Sequence, residues 1–252
     1  MIITLTTDFG LKDPFVGAMK GVILGIAPNV QIVDITHDIP SYDIIEASFV
    51  LQEAYRYFPE GTIHVVVVDP GVGSARRPLA LTVPEEGLHP IFIAPDNGVL
   101  SLVSDSAIAR HINNVSLFRN PVSQTFHGRD IFAPAAAHLA AGTSFESVGP
   151  TVTDLATLTS FRNPTVLRID KFGNLQTNLR RNQLGPGFVI RVGTTEVRRI
   201  VSSYSEASNG ELFAIEGSAG LIELCLNQDS AANRLNLRRG AEFEVETGRL
   251  NQ

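Results

Sequence analysis

A chain of 252 residues with 44% hydrophobic and 18% charged content can bury a large core, as one big domain or two smaller ones, and is too apolar to remain disordered. A formal net charge of −6 disfavours a general nucleic-acid binder, and no apolar run reaches the roughly 18 residues of a membrane span. The single cysteine, Cys225, excludes an internal disulfide and is compatible with a reducing cytoplasm.

In chain order, MIITLTTDFG lacks a basic leader and a cleavage site, so it reads as a first strand and not as a signal. DPFVGAMKGVILGIAP predicts a helix with Asp13 as N-cap, Pro14 at the first helical position, and an apolar stripe of Phe15, Met19, Val22, Ile23 and Ile26. VQIVDIT is the next strand. SYDIIEASFVLQEAYRYFP is a second helix, capped by Ser41 and stopped by Pro59. IHVVVVD, LALTV and PIFIAPDNG follow as strands, and GRDIFAPAAAHLAAG as a helix closed by Gly142. This alternation predicts a layered α/β domain with a mostly parallel sheet over 1–155. A linker is expected at 156–164, within TDLATLTSFRNP. From 165 to 252 the chain changes to short β runs, with hairpin turns at Gly193-Thr194 and Gly217–Gly220, so an all-β domain, barrel-like or a sandwich, is expected there.

Ligands of open α/β sheets bind beyond the carboxyl ends of the strands. Three strands deliver polar groups there: Asp8, Asp69, and Asp96-Asn97. TFHGRD adds His127, Arg129 and Asp130 at a helix start. Most of these have a plain structural account. Asp8 can cap a turn before Gly10, Asp96-Asn97-Gly98 is a turn sequence, and Asp130 complements a helix dipole. His138 reads as a packed or surface residue, and His37, His64, His89 and His111 lack a local partner pattern. Asp69, Arg76 and His127 are harder to dismiss. DPGVGSARRP turns sharply and exposes backbone N–H groups, which suits a phosphate nest. It has no Lys-Ser/Thr after the glycines, so it is not a P-loop, and G-V-G-S-A-R is not a dinucleotide fingerprint. A metal site of Asp8, Asp69 and His127 is conceivable, but no H-x-H, HExxH or dense carboxylate spacing supports it, and no metal is expected.

Six ordered motifs carry a resemblance: TTDFG, VVVVDPGVGSARRP, APDNGVL, TFHGRDIFAPAAAHLA, IDKFGNLQTN and GSAGLIELCLN. Together they make nearly the whole chain similar to the S-adenosyl-L-methionine (SAM) hydroxide adenosyltransferases, hydrolases that form adenosine and are related to the fluorinating and chlorinating enzymes. The resemblance implies an N-terminal α/β domain and a C-terminal β domain. It implies that Asp69, Arg76 and His127 hold a water against C5′ of the SAM ribose, that Asp8 binds both ribose hydroxyls, and that Asp170, Asn174, Ser218 and Glu223 contact the amino-acid part and the adenine. Arg76, and not its neighbour Arg77, is chosen from the motif register. Asn174 and Ser218 are also open to a turn role, and Phe172 and Phe213 can stack on a ligand or be core, with core the expected role.

The halogenating relatives carry a tyrosine where this chain has Asp69, a Tyr-Ser pair where it has His127-Gly128, and an inserted loop of about twenty residues that is missing here. They also carry an arginine where this chain has Ala219, which leaves open how the methionine carboxylate is held. The expectation is therefore a cytoplasmic hydrolase that takes SAM as substrate and needs no cofactor. It would act as a homotrimer with sites at subunit interfaces, and nucleic acid and membrane are not expected partners. A SAM or nucleoside sensor without catalysis and a 5′-halogenase are the alternatives. Whether Asp69 or His127 accepts the proton is not decided by sequence.

Overall fold

The computed structural model describes residues 1–85, 87–158 and 163–246. The chain divides into two compact units, Met1–Leu158 and Thr159–Gln252. The expected linker falls partly on 159–162, outside the described residues.

The first unit contains β1 (Ile2–Thr7), α1 (Phe15–Ile26), β2 (Gln31–Thr36), α2 (Ile44–Ala54), β3 (Ile63–Val67), β4 (Pro78–Thr82), β5 (Ile91–Pro95), β6 (Ile108–His111), α3 (Ala133–Ala140) and β7 (Thr151–Val152). The strands form one seven-stranded sheet in the order β2-β1-β3-β5-β4-β6-β7. β2, β1, β3 and β5 run parallel, β6 shares their direction, and β4 and β7 run against them. The sheet is thus mainly parallel, as expected. IHVVV is buried at every position because both faces of the sheet are covered. Val65 and Val67 pack into one apolar cluster with Met19, Ile23 and Phe132, while Val66 and Val68 face the other, with Ala47, Leu51 and Phe92. Period-two alternation sends neighbouring valines to opposite layers.

Local details differ from expectation. Pro14, not Asp13, occupies the N-cap position of α1, with no side-chain cap bond. Asp43, not Ser41, caps α2: its carboxylate accepts from the Glu46 N–H at 2.9 Å. Ser41 lies before Tyr42, whose φ of 68° breaks the backbone ahead of the helix. β6 and β7 were not anticipated; they are short, and their sequences alternate weakly.

The second unit contains β8 (Val166–Ile169), β9 (Leu175–Thr177), β10 (Val189–Val192), β11 (Thr195–Val197), β12 (Ile200–Val201), β13 (Leu212–Glu216), β14 (Ile222–Leu226), α4 (Ala231–Leu235) and β15 (Glu244–Glu246). They form a three-stranded sheet, β11-β10-β15, and a five-stranded sheet, β12-β13-β14-β9-β8. The expected hairpins are present at β10–β11 and β13–β14. The unit is strand-rich but not all-β. Ser230 caps α4 through the Asn233 N–H at 3.1 Å, and Ala231, Ala232 and Leu235 bury its inner face. Phe213 is core, fully buried, whereas Phe172 is 67% exposed, contrary to expectation.

Candidate active site

β1 and β3 are adjacent parallel strands that end level with each other, so the residues that follow them, Asp8 and Asp69, emerge on one edge. A cavity of about 450 Å³ opens there, and Asp8, Asp69 and His127 all line it. The trio singled out in the sequence is joined directly. Arg76 Nε donates to both Asp69 carboxylate oxygens, at 2.9 and 3.0 Å, and its Nη2 donates to Asp69 Oδ2 as well. The same Nη2 donates to His127 Nδ1 at 2.8 Å.

This geometry assigns protons. A guanidinium offers only N–H groups, so His127 Nδ1 must supply the lone pair, and a neutral ring then carries its proton on Nε2. Burial, and then the Arg76 charge beside it, hold the His127 pKa below the usual histidine range. Arg76 itself does not line the cavity. Its side chain is 8% exposed, its guanidinium lies 5.2 Å from the Phe132 ring centre, and it sits behind Asp69 and His127.

Two loops carry the trio, and two glycines let them meet. Gly73 has φ +76°, and a Cβ there would lie 2.3 Å from the Gln124 carbonyl oxygen, so only glycine lets the 69–77 loop abut the loop leading to His127. At Gly128 a Cβ would press on Phe126, Met19 and Val67 at 3.2 to 3.4 Å. The predicted helix from Gly128 begins as a π-helical turn, Gly128–Phe132, before α3. Such widened turns recur at functional sites. Asp130, expected to complement a helix dipole, is fully buried and paired with Arg129.

Asp8 Oδ2 accepts the Tyr42 N–H at 2.8 Å, which leaves Oδ1 as an acceptor for a ligand. The other wall is aromatic. Phe9, Phe15 and Phe126 meet pairwise at centroid distances of 5.2 to 5.9 Å. Tyr42, Phe9 and Phe126 were missed in the sequence, where single aromatics carry no periodic signal; Phe15, expected in the apolar stripe of α1, is instead exposed and lines the cavity. Asp96 pairs with Arg77 Nε at 2.8 Å and Asn97 Nδ2 donates to the Val68 carbonyl at 2.9 Å, which is the structural role expected of that turn. His37 and His64 do have partners on a neighbouring strand, Thr7 Oγ1 at 2.8 Å and Thr4 Oγ1 at 2.9 Å, and His37 Nε2 also lies 3.1 Å from Asp34 Oδ1, a local i,i+3 partner missed in the sequence.

Asp170, Asn174, Ser218 and Glu223 line a second cavity, of about 910 Å³, within the second unit. Asp170 mainly organises its own loop. Its Oδ1 accepts the Phe172 and Asn174 N–H groups at 2.8 and 2.9 Å, and its Oδ2 accepts Asn174 Nδ2 at 2.9 Å. A Cβ on Gly173 would strike Ser230 Oγ at 2.2 Å, so the loop sits tightly against the start of α4. Glu223 lies over Gly217, where a Cβ would come within 2.1 Å of its Oε1. Exposed Phe172 and half-exposed Tyr204 add flat apolar surface. The Tyr204 hydroxyl lies 3.4 Å from Asn174 Nδ2 and 3.8 Å from Cys225 Sγ, and burial pushes the Cys225 thiol up to about 12. Among the described residues, no group of three or more His, Cys, Asp or Glu side chains is arranged to hold a metal ion. No helix among them is long and apolar enough to cross a membrane.

Comparison with known proteins bears on both units. The profile of the SAM hydroxide adenosyltransferase N-terminal domain matches residues 3–149, and that of the C-terminal domain matches residues 164–244. The (R)-S-adenosyl-L-methionine hydrolase of Thermus thermophilus is 40% identical over 250 residues, spanning 93% of this chain and 95% of the relative. The fluorinase of Nocardia brasiliensis is 29% identical over 98% of this chain and 97% of its own. A crystal structure of a conserved protein from Thermotoga maritima superposes with a TM-score of 0.88 at 36% identity, covering 97% of this chain and 99% of that one. With both domain profiles matched in order, and identity to the hydrolases above that to the fluorinase, the chain belongs to the SAM hydroxide adenosyltransferase family.

Proposed function

We propose that the protein hydrolyses S-adenosyl-L-methionine to adenosine and L-methionine by in-line attack of water on ribose C5′. The observation that carries this reading is the Asp69–Arg76–His127 assembly on the cavity that Asp8 also lines. The hydrolases similar to this chain are named for (R)-S-adenosyl-L-methionine, and we extend that substrate to this protein.

The sulfonium leaves as the neutral thioether of methionine. Water forms the new C5′–O bond as the C5′–S bond breaks, and one proton must depart. His127 presents Nε2–H, since Nδ1 is occupied by Arg76; it donates to the water oxygen and fixes its position. Asp69 takes the proton and passes it to solvent. Arg76 does not line the cavity, and we read it as acting through Asp69 and His127. It sets the ring of one residue and the carboxylate of the other through charge-assisted hydrogen bonds. The Asp8 carboxylate accepts the vicinal ribose hydroxyls. Holding oxygen roughly 3–3.5 Å from C5′ in a dry pocket supplies much of the acceleration, and proton acceptance about 10²–10⁴ more.

In the second unit, Asn174, Ser218 and Glu223 bind the adenine and amino-acid parts, with Asp170 holding the loop beneath them. We further propose a cytoplasmic homotrimer in which neighbouring subunits supply the two sets of contacts. A monomer with full turnover in sedimentation at dilute protein would refute that assembly. No cofactor enters the mechanism. The direct test is incubation with SAM in metal-free buffer containing a chelator. Adenosine and methionine in equal amounts are expected. Methylthioadenosine or S-adenosylhomocysteine as product, or a rate that needs added metal, would overturn the reading. A 5′-halogenase would instead release halogenated nucleoside when chloride or fluoride is present.

A further inference from the structure

The loop that presents His127 is held by a buried charge that the mechanism does not use. Asp130 is fully buried, three residues after the ring. Its Oδ2 accepts the Ser123 N–H at 2.9 Å and Arg129 Nη2 at 2.8 Å, and its Oδ1 accepts Arg129 Nε at 2.7 Å. Arg119 Nη1 stands 3.6 Å from Oδ1, and the Arg119 N–H donates to the Asp130 carbonyl at 2.9 Å. Both ends of the 119–130 segment are therefore tied to one residue. Ser123, fixed by that carboxylate, uses its own Oγ to accept the N–H groups of Thr125 at 3.3 Å and Phe126 at 3.0 Å. Arg129, held by the same carboxylate, lies 5.0 Å from the Phe126 ring centre. Phe126 directly precedes His127 and is thus fixed through its backbone and through its ring. On the far side, the Gln124 carbonyl rests against Gly73 of the loop that carries Arg76.

We propose that Asp130 is a positioning residue for the hydrolysis: through Ser123 and Arg129 it sets the loop so that His127 Nδ1 lies on Arg76 and Nε2–H is offered to the water. The proposal rests on the reading of His127 as the donor to that water. Burying a carboxylate is costly unless it is paired and hydrogen-bonded, and here every contact it makes tightens this one loop. The π-helical turn beginning at Gly128 has the same effect, since it lets the Asp130 side chain face back towards Ser123 while α3 continues into the core.

The test uses the full chain with Asp130→Asn and Ser123→Ala, each checked for cooperative thermal unfolding. Two quantities are read: kcat and KM for SAM, and the His127 tautomer from its imidazole ¹⁵N resonances, assigned with His127→Gln. Displacement of a reacting group by an ångström costs about 10²-fold in rate. The expected result for Asp130→Asn is a fall in kcat of that order, little change in KM, and loss of the pure Nε2–H tautomer seen in the parent. Ser123→Ala should move both in the same direction by less. A folded Asp130→Asn with parental kcat, or one whose kcat falls while the His127 tautomer stays fixed, overturns the proposal. If Asp130→Asn does not fold, unchanged kcat and tautomer in Ser123→Ala overturn it instead. Failure of the parent to release adenosine from SAM would sink the functional reading, whereas the tautomer comparison still decides the positioning role.

Discussion

Asp69→Asn separates the two candidate proton acceptors. The substitution keeps the shape of the side chain and removes its charge. In the parent, Arg76 Nε bridges both carboxylate oxygens at 2.9 and 3.0 Å, and Nη2 adds a further bond. Asp69 and Arg76 side chains are 5% and 8% exposed, so these bonds are little screened by solvent. Hydrogen bonds to charged groups contribute about 1.5–3 kcal/mol each against about 1 for neutral ones. With an amide at this position one acceptor is lost, and a destabilisation of about 2–4 kcal/mol is expected, because one buried charge is left without its partner. The catalytic effect is distinct. Loss of the proton acceptor lowers kcat by about 10²–10⁴, equivalent to about 3–5 kcal/mol of barrier. Calorimetric titration of SAM should show Kd changed far less than kcat. The assay is chromatographic release of adenosine in single-turnover mode, over pH 6 to 9 in metal-free buffer. If folded Asp69→Asn retains more than about a tenth of the parental rate while His127→Ala loses about a thousandfold, the proton goes to the imidazole, and the tautomer deduced from Arg76 is wrong.

His64 is 1% exposed, and burial pushes its pKa down to about 4, so it folds neutral. The stability this contributes is complete above the ordinary value of 6.5 and is lost as pH falls from 6.5 towards 4, by about 3 kcal/mol in total; urea unfolding midpoints that stay flat from pH 7 to 4, or that fall equally in His64→Phe, would contradict this. Gly73→Ala places a methyl group 2.3 Å from the Gln124 oxygen at φ +76°, so it should lower both stability, by roughly 1–3 kcal/mol, and kcat, because the two catalytic loops are wedged apart. A crystal structure of that variant with the Arg76–His127 bond intact would count against the account. Asn174→Ala should raise KM about tenfold with kcat nearly unchanged, as befits a group that binds substrate and transition state alike; a fall in kcat at constant KM would place Asn174 near the chemistry instead.

Much of this protein is written in local patterns. The run of valines at 65–68 declares a strand covered on both faces, and the adjoining Asp69 inherits a place at the strand's carboxyl end. Helix stripes such as Met19 and Ile23 were legible for the same reason. Capping was not. Asp43 displaced Ser41 because the left-handed Tyr42 reset the chain just before the helix, and that bend answers to the Asp8 carboxylate from another strand end. Phe172 and Phe213 are both isolated phenylalanines in β-rich sequence, yet one is buried and the other lines a cavity. Phe213 lies within β13 and packs inward, whereas Phe172 lies in the turn between β8 and β9.

The candidate site divides in the same way. Residue identity alone established which groups have the chemistry: a carboxylate, a guanidinium and an imidazole at turns that follow or precede regular elements. Covalent order also dictated that Asp69 and Arg76 share one glycine-bearing loop. It could not dictate that His127 arrives with Nδ1 facing a buried guanidinium, that Arg76 stands behind the other two, or that Asp130 binds Arg129 and Ser123 where an acid complementing a helix dipole was expected. The first two depend on contacts between segments far apart in sequence, as in the 51-residue separation of Arg76 and His127, and the third on a loop that folds back over seven residues to bring the Ser123 N–H onto Asp130. A proton's location on an imidazole is fixed by what lies against each nitrogen, and only the folded chain decides that.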